Sequence, residues 1–446
     1  MKPGNSRLSW YRFAGKEHGA ILRLAIPAIV TNITVPLLGL VDVAIVGHIG
    51  DATYIGAIAV GSMIFNVIYW VFGFLRMGTS GMTAQALGAG QHDEALRLLV
   101  RSLLTAAVVA LLILLLQTPL KHLAFQVIGA EESVRGLTDS YFDICVWGAP
   151  AMLSLYGLTG WFIGMQDTRT PMVVSIAQNV VNIVVSLMLV VGCGMRIEGV
   201  ATGTLVAQYA GLAMAVGAWL WRYREMARHF QWKGVVVWQQ MVRFFRVNSD
   251  IFLRTLFLVA VNLYFLSAGA RQGALMLAVN TLLMQLFILF SYVMDGFAFA
   301  GEALSGLHKG ARDAEALRTT IARLFAWGAL TVVLFTLVYA LGGASFLSLL
   351  TSDDVVLNAA TDYLPWAIAI PIAGVAAFIW DGVYIGLTAT RAMLFASAFA
   401  AVAFFVIYLS FHRTMGNHAL WLAFIAFLFL RGVAQTLLWH RLSKLT

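Results

Sequence analysis

Long apolar runs separated by short polar loops recur along the whole chain. The runs are continuous rather than alternating, and each matches the roughly 18 to 25 residues that a helix needs to cross the hydrocarbon core of a membrane. The pattern predicts twelve spanning helices, at residues 21–46, 54–76, 97–117, 141–163, 171–192, 199–221, 248–269, 274–300, 319–341, 360–386, 392–411 and 418–440. We therefore expect an all-α integral membrane protein.

The polar loops between these runs repeat each other. QALGAGQHDEALR at residues 85–97 recurs as LSGLHKGARDAEALR at residues 304–318, which aligns Gly90 with Gly310. A second pair, FIGMQDTR and YIGLTATR, lies further along each half of the chain. The first pair is offset by 220 residues and the second by 222, so a gap of about two residues joins them into one duplication. Echoed loops between apolar runs are typical of a membrane transporter built from two halves.

The duplication predicts an N-lobe of six helices over residues 1–222, a connection over 223–247 and a C-lobe of six helices over 248–446. Because six is even, both lobes enter from the same side, and a pseudo-two-fold axis would run along the membrane normal. The connection is polar with interleaved aromatic residues, and we expect it to form an amphipathic helix on the membrane surface.

Composition agrees with the membrane assignment. Hydrophobic residues make up 61% of the chain, charged residues only 11%, and the mean hydropathy is +0.84. A soluble domain carries roughly 25% charged residues. We expect substrate to be a small molecule, the other contact to be membrane lipid, and the protein to be a monomer that carries no cofactor. The two cysteines, Cys145 and Cys193, are expected to be thiols, although a disulfide stays open.

The net charge of +8 follows from loop asymmetry rather than from nucleic-acid binding. Most of the 29 Lys and Arg residues fall in one set of loops. The opposite loops carry only Lys121, Arg135, Arg196, Arg271 and Arg413. The positive-inside rule then predicts a multi-pass protein of the cell inner membrane with both termini in the cytoplasm.

Charged residues inside the predicted spans are functional candidates, because each costs roughly 2.5 to 3.5 kcal/mol at the bilayer centre. They are Asp42, Asp295, Glu302, Asp381 and Arg431. Glu302 lies at a span end, where it could be solvated. Helix depth pairs Arg431 with Asp381 better than with Asp295, and such a pair could be structural or functional.

Asp42 has no basic residue in its own span, so it is a candidate for reversible proton or cation binding. Asn182 and Ser186 lie one turn apart on the fifth span, and Thr204 lies on the sixth. These polar residues could complete a site with Asp42, or could simply join helices by hydrogen bonds. Pro27 and Pro36 in the first span permit bending.

Three segments carry a family resemblance: PAIVTNITVPLLGLVDVAIVGHIG, FLRMGTSGMTAQALGAG and GNHALWLAFIAFLFLRG. They resemble the multidrug and toxic compound extrusion (MATE) family, and specifically its DinF branch. The resemblance covers nearly the whole chain. It implies twelve helices in two lobes and cation-coupled export through a central cleft.

The resemblance also assigns roles to single residues. Asp42 matches the family's coupling aspartate, Pro27 its bending proline and Thr204 its sixth-helix hydroxyl. Asn182 matches the first residue of the family's fifth-helix pair, but Ser186 stands where an acid or an asparagine is usual. Since Na⁺ favours several hard oxygens with adequate charge, this departure favours proton coupling over Na⁺ coupling.

The alternatives are a Na⁺-coupled exporter and a flippase for lipids or lipid-linked sugars of the same superfamily. A flippase of that kind usually lines its cleft with cations, and Arg431 is the one basic residue expected well inside a span. We expect no enzyme activity, because the histidines fall outside the spans or at their ends. The chain also lacks the GxxxxGK[ST] loop of an ATP-driven pump.

Overall fold

The computed structural model describes the backbone of residues 14–47, 52–128, 132–228, 232, 234–351 and 353–442. Within these ranges, side chains are described except at residues 14–16, 35–44, 46–47, 52, 127–128, 132–133 and 442. Pro36 and Asp42, which were predicted as hinge and coupling residues, belong to a helix, but their side chains lie outside the described part.

The first half of the chain forms nine α-helices over its described residues. They are α1 (Ala14–Gly47), α2 (Ala52–Val71), α3 (Phe74–Gly88), α4 (His92–Leu115), α5 (Gln117–Ile128), α6 (Glu132–Cys145), α7 (Ala149–Gly164), α8 (Arg169–Leu187) and α9 (Ile197–Arg222). A single turn separates α2 from α3, and a 3-10 turn at Val146–Gly148 joins α6 to α7. The helix pairs α2–α3 and α6–α7 therefore each include one predicted span, at residues 54–76 and 141–163.

The second half forms seven helices over its described residues. They are α10 (Arg224–Arg228), α11 (Trp238–Arg271), α12 (Ala274–Gly310), α13 (Ala314–Leu350), α14 (Asp354–Gly386), α15 (Thr390–Met415) and α16 (Asn417–Leu442). By length and composition, ten helices in the described part of the chain could cross a membrane.

The described residues divide into two compact units. The N unit comprises Val30–Asn248, and the C unit comprises Met1–Ile29 together with Ser249–Thr446. The division falls within α1, so the first turns of this helix pack with helices of the second half of the chain. There Glu17 forms an ion pair with Arg323, and Trp327 Nε1 donates a hydrogen bond to His18 Nδ1 at 3.1 Å.

Four helix-ending turns share one conformation and show the internal repeat. The turns centre on Gly90, Gln166, Arg312 and Thr388, which have φ of 72°, 64°, 56° and 50°. In each, the amide that follows bonds to the carbonyl five residues back, at 2.8 to 3.0 Å. This is the Schellman pattern of helix termination.

The turns correct the predicted alignment of the repeat. Gly90 corresponds to Arg312, and Gln166 to Thr388, both at an offset of 222 residues. Gly310 instead lies within α12, so its predicted match with Gly90 was wrong and the two-residue gap is unnecessary. The error arose because glycine was taken to mark the turn, whereas the surrounding hydrogen bonds hold an arginine in the same left-handed conformation.

Close helix contacts repeat at the same offset. In the N unit, a Cβ at Gly160 of α7 would collide with the carbonyl oxygen of Arg76 on α3. In the C unit, a Cβ at Gly382 of α14 would collide with the carbonyl oxygen of Ala298 on α12. Small residues let membrane helices approach this closely. Each unit therefore contains a glycine-mediated helix pair at equivalent positions.

The connection differs from the predicted amphipathic helix. Its described part contains the short α10, a turn at residues 234–236 and the first turns of α11, which begins at Trp238 rather than at residue 248. The turn is anchored by Arg101 of α4, which is 1% exposed. Arg101 donates from Nε to the Val235 carbonyl at 2.7 Å and from Nη2 to the Gly234 carbonyl at 2.8 Å. Backbone carbonyls that bind a buried guanidinium do not need a surface helix to satisfy them.

Candidate functional site

A neutral polar centre in the N unit contains three of the predicted site residues. Asn182 of α8 donates from Nδ2 to Thr204 Oγ1 of α9 at 3.0 Å. Ser186 lies one turn further along α8 beside Gly203, whose missing side chain leaves room for the serine hydroxyl. Asn182 and Ser186 are both fully buried. The structure thus brings Asn182, Ser186 and Thr204 together.

Two atoms of this neutral centre have unused hydrogen-bonding capacity. Asn182 Oδ1 and Ser186 Oγ are buried and have no hydrogen-bond partner among the residues whose side chains are described. A buried polar atom without a partner costs roughly 1 to 3 kcal/mol. The arrangement can therefore accept a proton donor or a cation at these oxygens.

The other predicted N-unit residues lie on α1. Asp42 and Pro36 belong to this helix, but their side chains fall in the undescribed range 35–44. Pro27 is buried in the part of α1 that belongs to the C unit. It lies two residues before the point where the helix passes from one unit to the other.

A charged centre occupies the C unit. Asp381 of α14 forms an ion pair through Oδ2 with Arg254 of α11, and Arg431 Nη2 of α16 lies 3.8 Å from the same oxygen. Gln435 Nε2 donates to Asp381 Oδ1 at 2.7 Å. Depth along the helices indicated Arg431 as the partner of Asp381, and the structure adds a second, closer arginine.

Arg254 was not among the residues predicted for this centre from the sequence. This residue lies inside the predicted seventh span, and it is 7% exposed. The statement that Arg431 was the one basic residue well inside a span was therefore wrong. A signal was present, since Arg254 interrupts the apolar run that follows residue 250. Its position close to the predicted span boundary at residue 248 hid its burial, because α11 in fact begins at Trp238.

The remaining charged candidates lie on α12. Asp295 is half-buried and near enough to Arg431 to stabilise its charge. Glu302, which could have been solvated at its span end, is only 1% exposed. The Arg431 guanidinium also lies over the rings of Phe378 and Phe427, at 5.8 and 5.4 Å from their centroids. These cation–π contacts hold the guanidinium against the faces of the two phenylalanine rings.

Both cysteines are thiols in the structure. Cys145 is buried and Cys193 is exposed, and no disulfide links them. The cysteines therefore contribute neither a redox centre nor a covalent constraint to either polar centre.

This chain is similar to known proteins in sequence and in fold. The MatE family model matches residues 27–188 and 251–409. DNA damage-inducible protein F of Escherichia coli K12 is 37% identical over 442 residues, which cover 98% of this chain and 95% of that protein.

Solved structures match the fold over nearly the full length. An outward-facing multidrug resistance MATE family transporter of the MOP superfamily matches with a TM-score of 0.86 at 19% identity, over 99% of this chain and 98% of that one. The Vibrio cholerae MATE transporter VcmN in the bent form matches with a TM-score of 0.84 at 18% identity, over 96% and 98%. The predicted fold of twelve membrane helices in two lobes is thus confirmed.

Proposed function

Because the chain belongs to the MatE family, we propose that this multi-pass membrane protein exports amphiphilic organic compounds in exchange for a cation, and that the cation is the proton. The loop asymmetry of Lys and Arg supports an inner-membrane location with both termini in the cytoplasm. Met, Phe and Trp side chains are frequent in the spans and adapt to cargo of varied shape. No catalytic step is part of the proposal.

The neutral centre of the N unit is the observation that carries the coupling proposal. Asn182 Oδ1 and Ser186 Oγ are buried, close to Thr204, and unsatisfied by the described side chains. An unsatisfied pair of oxygens at one depth in a membrane protein is costly unless a ligand or a titrating partner uses it. Asp42 is the residue that we assign to this role.

The internal repeat supports placing Asp42 beside this centre. At the offset of 222 residues, Asn182 and Ser186 correspond to Phe404 and Tyr408 of the C unit, and Asp42 corresponds to Tyr264. The Tyr264 ring lies 6.2 Å from the Phe404 ring and 5.7 Å from the Tyr408 ring, between centroids. By the repeat, Asp42 is expected to face Asn182 and Ser186 in the same way.

The chemistry of the neutral centre favours the proton. Na⁺ needs several hard oxygens with adequate charge, and Asn182, Ser186 and Thr204 supply neutral oxygens only. Asp42 would then be the single charged ligand. A carboxylate among neutral groups in a low-dielectric site instead binds and releases a proton.

In the proposed cycle, a proton from outside neutralises Asp42 and the hydrogen bonds of the neutral centre rearrange. The first helix then bends, and the change in shape expels the substrate. Neutralising one buried charge is worth a few kcal/mol, and roughly 5.5 kcal/mol shifts a two-state equilibrium from 1:99 to 99:1. One titrating residue therefore supplies most of the free energy that the switch requires.

We place the bend at Pro27. This proline lies next to the boundary where α1 passes from the C unit to the N unit, and proline removes a backbone hydrogen bond. Pro27→Ala should raise the thermal stability and slow turnover while equilibrium binding of substrate changes little. Export at the parental rate by Pro27→Ala, together with slowed export by Pro36→Ala, would move the hinge to Pro36.

Transport into everted membrane vesicles tests the proposed function. A pH gradient alone should drive uptake of organic dyes, and Asp42→Asn should reduce uptake to the background level. Asp139→Asn is the matched control, because its carboxylate is 42% exposed and lies outside the centre. Full uptake by Asp42→Asn would refute the coupling role. Uptake that requires Na⁺ at a constant pH gradient would instead favour the Na⁺-coupled alternative.

The flippase alternative gains one observation from the structure. Arg431 was the one buried basic residue predicted within a span, and Arg254 is a second. Transport of a short-chain lipid pyrophosphate without any dye uptake would favour a flippase, whereas dye uptake without transport of the lipid pyrophosphate would favour drug export.

A further inference from the structure

The charged centre of the C unit holds more positive than negative charge at its middle. Arg254 and Arg431 both contact one oxygen of Asp381, so two guanidinium groups share one carboxylate. The other oxygen of Asp381 accepts from Gln435 at 2.7 Å. Both carboxylate oxygens are thus engaged from within the protein, and the charge of this one carboxylate is shared by two guanidinium groups.

Both arginines retain unused donors. Arg254 Nε and Arg431 Nε are buried, and neither has a hydrogen-bond partner in the described part of the chain. Arg254 is 7% exposed and Arg431 is 3% exposed. A guanidinium presents its donors as a planar fork that fits a carboxylate, sulfonate or phosphate. An anion at this place would provide hydrogen-bond acceptors for donors that otherwise stay unpaired.

Aromatic side chains beside the two arginines could pack against the apolar body of such an anionic ligand. Phe378 and Phe427 hold the Arg431 guanidinium on their faces. Phe378 also contacts Phe287 and Phe290, with ring centroids 6.3 and 5.9 Å apart. Apolar rings around a fixed cation are suited to an amphiphile, because the anionic group and the apolar body are bound by adjacent surfaces.

Asp295 adds a second negative charge to this centre. It is half-buried on α12, and its negative charge acts on Arg431 in addition to that of Asp381. Removing its charge should therefore make the centre more attractive to an anion, whereas removing an arginine should make it less so.

We propose that the Arg254–Asp381–Arg431 centre binds the anionic group of the exported compound, so that the preferred cargo is an amphiphilic organic anion. This inference rests on the proposed export function and narrows its substrate class. The anion adds a counter-charge to two arginines that share one carboxylate, and its body packs on the neighbouring aromatic rings.

Direct binding to the purified full-length protein tests the inference. The probe is 11-(dansylamino)undecanoate, which is followed by energy transfer from tryptophan, since Trp380 is adjacent to Asp381. Its primary amide is the matched neutral probe. The carboxylate should bind saturably, be displaced by dodecanoate, and bind about tenfold or more tightly than the amide, as expected for hydrogen bonds to charged groups.

Substitutions then separate binding from a purely structural role. Arg254→Gln should weaken carboxylate binding by about tenfold and leave amide binding unchanged. Arg254→Lys should lie between this variant and the parent, because lysine keeps the charge without the fork. Asp295→Asn should strengthen carboxylate binding. Arg271→Gln, which removes an exposed arginine over Tyr264, is the control and should have no effect.

The outcomes discriminate between this inference and the proposed function. Equal binding of the carboxylate and the amide to the parent protein would overturn the inference, even if vesicles export dyes. Equal losses for both probes in Arg254→Gln and in Arg254→Lys would also overturn it, because a structural defect affects both. Arginine-dependent carboxylate binding without export under any gradient would instead overturn the proposed function alone.

Discussion

The N unit and the C unit use the same contacts to build their helix pairs. Gly160 of α7 fits against the backbone of α3, and Gly382 of α14 fits in the same way against α12. The turns at Gly90 and Arg312 also match, although one residue is glycine and the other arginine. The two units are therefore more alike in their backbone contacts than in their sequences.

The polar centres of the two units do not correspond. The charged centre of the C unit falls at positions whose N-unit equivalents are Asn32, Thr159 and Tyr209. The neutral centre of the N unit falls at positions whose C-unit equivalents are Phe404, Tyr408 and Ala426. The two units thus share a scaffold but place different chemistry at different points on it. Backbone contacts constrain the frame, while side chains that face the interior are free to diverge.

The largest expected effect concerns the charged centre. Asp381→Asn removes the carboxylate that Arg254 and Arg431 share, and an uncompensated buried charge costs about 3 to 5 kcal/mol. Thr159→Ser, at the equivalent position of the N unit, should change stability by less than about 1 kcal/mol. Thermal unfolding of the purified variants measures both. Equal stability of the two variants would show that the units do not differ in this respect.

The next effect concerns the shared frame. Gly160→Ala and Gly382→Ala place a methyl group against a backbone carbonyl that cannot rotate away, so each should destabilise the protein by about 1 to 3 kcal/mol. Gly217→Ala is the control, because nothing lies within 4 Å of its Cβ position. It should leave stability unchanged or raise it by up to about 1 kcal/mol. If only one of the two packed glycines is sensitive, the helix pairs are not equivalent.

A smaller effect would sharpen the account of the neutral centre. Ser186→Asp adds a charged hard ligand beside Asn182, and it should raise Na⁺ affinity by about tenfold, which corresponds to about 1.4 kcal/mol. The Na⁺-dependent shift in melting temperature reports this affinity. Ser186→Ala should show no such shift. An unchanged response in Ser186→Asp would mean that the serine does not limit Na⁺ binding.

The smallest effect tests the corrected alignment. Arg312→Gly and Thr388→Gly should each stabilise the protein by about 0.5 to 1 kcal/mol, because glycine adopts a positive φ without strain. Gly90→Ala should destabilise it by a similar amount. Gly310→Ala should be tolerated, since this residue lies in α12 and not in the turn. Sensitivity at Gly310 and tolerance at Gly90 would restore the original alignment.

The helices and the repeat were accessible from sequence because both depend on local patterns. Continuous apolar runs locate membrane helices without knowledge of their neighbours. Asn182, Ser186 and Thr204 were also predicted together, since two lie one turn apart and the third lies at a similar depth on the next helix. Short-range periodicity and depth are therefore sufficient when all members of a set lie on adjacent helices.

The charged centre was only partly accessible for the opposite reason. The contact between Arg254 and Asp381 joins residues 127 positions apart, and their helices are not neighbours along the chain. Helix packing brings them together, and a hydropathy pattern does not encode packing partners. The exact start of α11 also mattered, because a boundary placed at residue 248 left Arg254 close to the predicted end of its span.

The placement of the first turns of α1 in the C unit has a consequence for how the protein is made. Glu17 and His18 are translated about 300 residues before their partners Arg323 and Trp327. At roughly 5 to 20 residues per second, the start of the helix waits on the order of 15 to 60 seconds for these contacts. During that interval it must be held by lipid, by the insertion machinery or by temporary neighbours. A nascent chain that is halted before residue 323 therefore cannot complete the C unit, however well its N unit has folded.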